Sequence, residues 1–484
     1  MTASEKLNLF SLRGKNRVLH LTWFAFFLVF VVWFNHAPLM ASIQASMGLS
    51  EQQVKILLIL NVALTIPARI IIGMLVDRVG PRLVYFMLLL VSGFVCLFFA
   101  LAETFETLAF WRFLLGFVGA GFVIGVRVIG EWFPAKEVGF AQGIYGGWGN
   151  FGSAAAAMSL PALALLFGGA DGWRYAVGIT GGVMLLYAFV YYFSVADTPR
   201  GTMFSRSPKV GALEARSKAD LAFYLLLNIP LYGALALLTR ALGTLGLLSQ
   251  GAIGIVGLVL ISAYIVQSYR IYQINAAALR NPGPTMHSYR FKQVAILSFA
   301  YLVTFGAEIA VVSMLPLFFK ETFDMSLVQA GVAASSFAFM SLIARPLGGL
   351  LSDRYGRKRT LAFLLAGLAI GFQLMSLVGN DWPLILVMLV TVSCAAFVLG
   401  GAGAVFAIVP LIHRPLTGHI AGIVGAYGSA GGVFFLTVLS FASPSVFFLV
   451  IALAAFIALG AVLSLDELQE AVAEELPGGQ AERR

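Results

Sequence analysis

Gly73-Met74-Leu75-Val76-Asp77-Arg78-Val79-Gly80-Pro81-Arg82 closes one long apolar run and opens the next, and Gly349-Leu350-Leu351-Ser352-Asp353-Arg354-Tyr355-Gly356-Arg357-Lys358 does the same 276 positions later. In both copies an arginine, Arg69 or Arg345, precedes the aspartate by eight residues. A second pair of motifs agrees: Gly143-Ile144-x-Gly146-x-x-Gly149-x-x-Gly152 recurs as Gly422-Ile423-x-Gly425-x-x-Gly428-x-x-Gly431, shifted by 279. Two independent motifs at nearly one offset imply two homologous halves, repeated in parallel, with any site at their interface.

The halves lie in lipid. Of 484 residues, 60% are apolar and 11% charged, against about a quarter charged in soluble domains. Backbone groups in a bilayer core must pair within their own segment, so apolar runs of about 20 residues read as spanning helices. The runs near 18–46, 53–76, 82–101, 107–133, 139–166 and 172–195 form one set of six, and those near 292–319, 327–352, 359–379, 383–411, 418–441 and 445–464 a second. Between them 219–239 and 246–268 are apolar enough to span, or to lie in the interface. The expectation is an all-α membrane protein: a bundle at 1–200, a central linker at 201–291 with two additional helices, a bundle at 292–465, and a polar cytoplasmic tail at 466–484. The run from Leu21 to Phe34 follows a basic tail, as a signal peptide would, but apolar sequence continues past Pro38, so it reads as an uncleaved first span.

Basic residues set the orientation. Arg78, Arg82, Lys136, Arg200 to Lys218, Arg270 to Lys292, Arg354 to Arg359 and Arg414 share the side of the N-terminus, which is therefore expected to be cytoplasmic. The net charge of +9 is scattered over these loops and forms no patch with interleaved aromatics, so nucleic acid is not an expected partner. Cys96 and Cys394 sit in separate apolar segments and read as small packing residues.

A helix rises about 1.5 Å per residue, so Arg69 and Arg345 lie roughly 12 Å from the helix ends marked by Asp77 and Asp353, near the middle of the bilayer core. A cation there costs at least about 2.5–3.5 kcal/mol and persists when it faces a cavity or a counter-charge. Neither arginine has an acid at matching depth in its own helix, which suggests an anionic ligand; pairing with helix carbonyls or with Glu308 is the other reading. Asn150, Tyr301 and Phe122 fall at similar depth, roughly 16, 13 and 18 Å into their helices, although Phe122 alone would also suit a plain core. Guanidinium presents donors in a fixed fork that matches a flat oxyanion bidentately. Two arginines, an amide, a phenol and an aromatic wall describe a site for a small planar anion. Gly143, Gly146, Gly147, Gly149 and Gly152 put small residues on one stripe, which lets backbones approach closely and would also suit a narrow site.

The two Asp-Arg loops resemble the signature loops of the major facilitator superfamily. That resemblance implies that Asp77, Arg78, Asp353 and Arg354 hold a gate shut, beside their plain role as turns and anchors. Ala141 to Gly152 and Ala421 to Gly432 resemble the two signature segments of the nitrate/nitrite porter family, with Ser429 in place of a second asparagine. The resemblance covers both bundles but not 219–268. It implies that Arg69, Arg345, Asn150, Tyr301 and Phe122 contact nitrate or nitrite, in an inner cell membrane.

Glu308 lies well inside its helix and seven residues after Tyr301, so both can face the cavity. It is either the carrier of a co-transported proton, since buried carboxylates tend to hold protons, or the structural partner of an arginine. Arg127 and Glu131, four apart near a helix end on the gate side, read as an ion pair. Bringing an anion into a negative interior costs about 2.3 kcal/mol per 100 mV, so uptake needs at least one proton for electroneutrality and two for the potential to assist. Proton-coupled nitrate uptake is the first expectation, nitrate/nitrite exchange or nitrite export the second, and a membrane nitrate sensor the third. No cofactor, metal cluster or catalytic spacing among His36, His287, His413 and His419 points to an enzyme, and the sequence leaves the oligomeric state open.

Overall fold

An apolar run without water can pair its backbone only as a helix, and a computed structural model of the chain is helical along the runs marked above. It describes residues 7–466 apart from 169, 200, 205–212, 214, 216, 245, 247, 281–290 and 326. The expected tail lies outside the described residues beyond Asp466, as do Arg200 and parts of the two basic loops that flank the central helices.

The first half comprises α1 (Gly14–Phe34), α2 (Met40–Met47), α3 (Glu51–Ala63), α4 (Thr65–Val79), α5 (Pro81–Ala100), α6 (Phe105–Leu115), α7 (Gly121–Trp132), α8 (Val138–Phe167) and α9 (Gly172–Ser194). The central helices are α10 (Lys218–Leu227), α11 (Ile229–Thr244) and α12 (Gln250–Arg280). The second half holds α13 (Phe291–Phe323), α14 (Leu327–Phe339), α15 (Ser341–Tyr355), α16 (Arg357–Met375), α17 (Leu384–Ile412), α18 (Thr417–Phe441) and α19 (Pro444–Leu463). Thirteen passages among the described residues are long and apolar enough to cross a membrane. The pair α3 and α4 makes one more, so the architecture is two sets of six spans with an additional pair between them.

Several spans are broken where composition alone predicts continuity. The first ends at Phe34, where a turn ahead of Pro38 lets Ala37 donate its amide to the Phe34 carbonyl. The second and eighth break at Leu64 and Met340, equivalent places in the two repeats, each five residues before its arginine. The passage of α6 and α7 tightens to a 3-10 turn over Gly116–Ala120. That turn changes the direction of carbonyls that side chains then use: Thr65 donates its hydroxyl to the Gly116 oxygen at 2.7 Å, and Arg69 donates Nε to the Gly119 oxygen at 3.3 Å. After each Asp-Arg pair the chain reverses on a glycine in the left-handed region, Gly80 at φ 109° and Gly356 at φ 100°, which a side chain would strain.

The halves meet along two antiparallel seams of matching construction. A methyl group on Gly143 would lie 2.5 Å from the Arg345 carbonyl oxygen, and one on Gly147 would lie 2.4 Å from that of Ser341, so α8 presses its bare backbone on α15. Its repeat is α18 on α4, where a methyl on Gly422 would lie 2.6 Å from the Arg69 oxygen and one on Gly73 would lie 2.3 Å from the Gly418 oxygen. Signature glycines Gly143, Gly147 and Gly422 are thus the places where each half touches the backbone that carries the other half's arginine.

Candidate substrate site

Both seams end in a carboxylate that crosses to the other half. Asp77, at the end of α4, accepts the amides of Gly418 and His419 at 2.9 and 2.7 Å, the first turn of α18. Asp353, at the end of α15, accepts those of Gly139 and Phe140 at 3.1 and 2.8 Å, the first turn of α8. Helix N-termini offer unpaired amides and a positive dipole end, so each carboxylate crosses to the other half through backbone amides. A cation completes each cluster. Arg127 donates Nε to Asp77 at 2.9 Å and Nη1 to Glu131, while Arg357 donates to Asp353 at 3.3 Å and to the Ala135 oxygen at 2.5 Å. The cations on the two carboxylates are Arg127, which the sequence reading already pairs with Glu131, and Arg357, while the motif arginines Arg78 and Arg354 are exposed. The residue next to an aspartate at a helix end points about 100° away from it, whereas Arg127 reaches Asp77 from α7 and the chain reversal at Gly356 brings Arg357, the first residue of α16, back to Asp353.

Arg69 and Arg345 are 1% and 2% exposed, and they converge. Their guanidinium carbons lie 5.1 and 5.7 Å from the centre of one ring, Phe305, within cation–π range. Phe122 is 5.8 Å from Arg69, its ring parallel to that of Tyr301 at 6.3 Å, and Phe406 meets both rings edge-on at 4.5 and 4.7 Å. Arg69 donates Nη1 across the interface to the Gly425 oxygen at 2.6 Å. Gly146 occupies the equivalent place under Arg345, where a methyl would lie 3.5 Å from Nη1. Four of the residues expected at the site, Arg69, Arg345, Phe122 and Tyr301, therefore meet in one aromatic cluster between the halves.

Glu308 joins them. Arg345 donates Nη2 to its Oε2, and Asn150 donates Nδ2 to its Oε1 at 3.2 Å, so one carboxylate ties two of the expected substrate contacts together. Of its two sequence readings, the structure shows Glu308 as the partner of an arginine, beside the other residues expected at the site.

Sequence reasoning missed three residues. Phe305 carried a usable signal, since it stands four residues after Tyr301 and so shares its helix face. Phe406, inside the long apolar run of α17, carried none. Trp33, with Arg69 6.0 Å from its ring, becomes legible only when contacts align α1 with α13.

The family description of the Major Facilitator Superfamily matches residues 22–279 and 297–481. The nitrate/nitrite transporter NrtP of Picosynechococcus sp. is 44% identical to this chain, over 89% of this chain and 86% of its own length. The chain belongs to the nitrate/nitrite porter family of the major facilitator superfamily. NrtP of Nostoc punctiforme is 43% identical to this porter, over 93% of this chain and 92% of its own. Among solved structures, the human organic anion transporter MFSD10 superposes with a TM-score of 0.65, covering 93% of this porter and 100% of that chain at 14% identity, which speaks for the fold alone.

Proposed function

We propose that the chain carries nitrate or nitrite across an inner cell membrane by alternating access, and that Glu308 couples the anion to a proton. The observation that carries the coupling is that Glu308 holds both Arg345 and Asn150. While Glu308 is ionised, donors that would face the anion are occupied by a carboxylate. A proton on Glu308 weakens both contacts and releases a fork and an amide to the incoming oxyanion, while Arg69 and the ring of Tyr301 complete the seat. The anion and the proton then favour each other's binding, as coupling requires. Counting Arg69, Arg345 and Glu308, a carrier loaded with one monovalent anion and one proton has the same buried charge as the empty one. Movement in either form therefore meets a similar barrier. The nitrate/nitrite transporter names of the relatives support the choice of anion, and the basic short loops support cytoplasmic termini.

The test is nitrate-driven proton uptake into proteoliposomes. Glu308→Gln is expected to bind nitrate and to abolish the proton flux. Proton uptake that survives the substitution would defeat the coupling role, and nitrate uptake that requires internal nitrite and ignores pH would replace symport by exchange.

A further inference from the structure

The two arginines occupy equivalent places in the repeat but keep different company. Contacts fix how α1 corresponds to α13. Gly149 presses on Phe26 as Gly428 presses on Tyr301, and Gly152 lies on the Phe27 carbonyl as Gly431 lies on that of Leu302. Both pairs give an offset of 275, which sets Trp33 opposite Glu308. Each of these two touches the arginine of its own half: Trp33 presents its ring to Arg69 at 6.0 Å, and Glu308 forms an ion pair with Arg345. Trp33 is also pinned. Its carbonyl accepts from Nη2 of the buried Arg112, and its ring lies against Gly119, whose own carbonyl accepts from Arg69; a methyl on Gly119 would lie 2.9 Å from that ring.

We propose that Trp33 is the positioning residue that makes Arg69 the site's standing charge. A π face attracts a guanidinium without cancelling it, so Trp33 holds Arg69 in register while leaving one full positive charge in the site. A carboxylate at the same place, as at position 308, would bring the site to neutrality and remove its preference for an anion. The asymmetry between the halves thus divides the labour: Arg69 is the constant attraction and Arg345 the charge that Glu308 offsets. The proposal rests on the substrate reading above, but not on Glu308 being the proton carrier.

Nitrate binding to the purified full-length protein, measured at fixed pH by calorimetry, tests it. Trp33→Glu is expected to weaken binding by roughly ten- to a hundredfold, as one buried charge is cancelled, while Trp33→Gln, with no charge, loses far less. Placing Glu at 33 in a Glu308→Gln background returns the total charge to that of the native site and should recover native-like binding. Equal losses in Trp33→Glu and Trp33→Gln would reduce Trp33 to a packing residue and overturn the proposal. Failure of the double variant to recover would do the same. If neither glutamate variant folds while Trp33→Gln does, position 33 cannot take the place of position 308 and the proposed equivalence is lost. A wrong Glu308 coupling role would show elsewhere, as proton flux persisting in Glu308→Gln while these binding differences remain.

Discussion

A lysine in place of Arg69 or Arg345 would keep the charge and lose the fork. Arg69 uses Nε and Nη1 on carbonyls of both halves, Gly119 and Gly425, and an ammonium cannot span them while also facing an anion. Arg69→Lys and Arg345→Lys are each expected to weaken nitrate binding by roughly ten- to a hundredfold, which is about 1.4–2.7 kcal/mol, in calorimetric titrations. Glu308→Gln leaves Arg345 without its carboxylate, and breaking a buried pair in this way is destabilising. Nitrate can then stand in for the missing anion, so the variant should melt below the native protein without nitrate and recover most of the difference in its presence; at a hundred times the dissociation constant a ligand contributes about 2.7 kcal/mol. At this scale the sequence was informative about charge and depth. Arg69, Arg345, Asn150 and Tyr301 stand out because each is polar where lipid depth makes polarity costly. Phe305 and Phe406 do not, because an aromatic in an apolar run is unremarkable until its neighbours are known.

The glycine stripes act as elements, through the seams they allow. A methyl on Gly143 would meet the Arg345 carbonyl, whereas one on Gly178 in α9 meets nothing within 4 Å. Gly143→Ala should therefore hold the halves apart at the end closed by Asp77 and Asp353, raise the labelling of cysteines placed along the α8–α15 seam, and slow nitrate uptake by roughly tenfold or more. Gly178→Ala should leave uptake unchanged and stabilise its helix by about 0.5–1 kcal/mol. The repeated glycines and their offset are visible in the sequence, because spacing survives without coordinates. The break at Leu64 is marked by Pro67, which has no amide for the Ala63 carbonyl, whereas the one at Met340 falls within an apolar run and is not marked. Nor does the choice of Arg127 and Arg357 over Arg78 and Arg354 show, because it depends on which face each helix turns to its neighbour.

At the scale of the molecule, the added pair of spans touches both halves unequally. The Tyr427 hydroxyl of α18 donates to the Leu227 oxygen, at the break between α10 and α11, and Tyr224 packs on Phe291 at the start of α13, with ring centres 4.4 Å apart. On the other side Leu242 packs against Ile56 and Leu60 of α3 in an apolar cluster. The pair should travel with the second half and slide over the first. A disulfide engineered between positions 60 and 242 is expected to stop nitrate uptake until a reductant is added, while one between 227 and 427 leaves uptake running. The two crossing carboxylates, Asp77 on α18 and Asp353 on α8, have a related consequence for fidelity. Because a rigid half cannot lift from one cap without straining the other, an ion slipping inward without its partner needs both to fail at once. If each failure costs about 1.5 kcal/mol, the low end of the usual range for a hydrogen bond to a charged group, the chance of one is somewhat under a tenth and of both somewhat under a hundredth. Two weak latches engaged by the same motion guard against such slippage better than either would alone, and still let go when cargo is aboard.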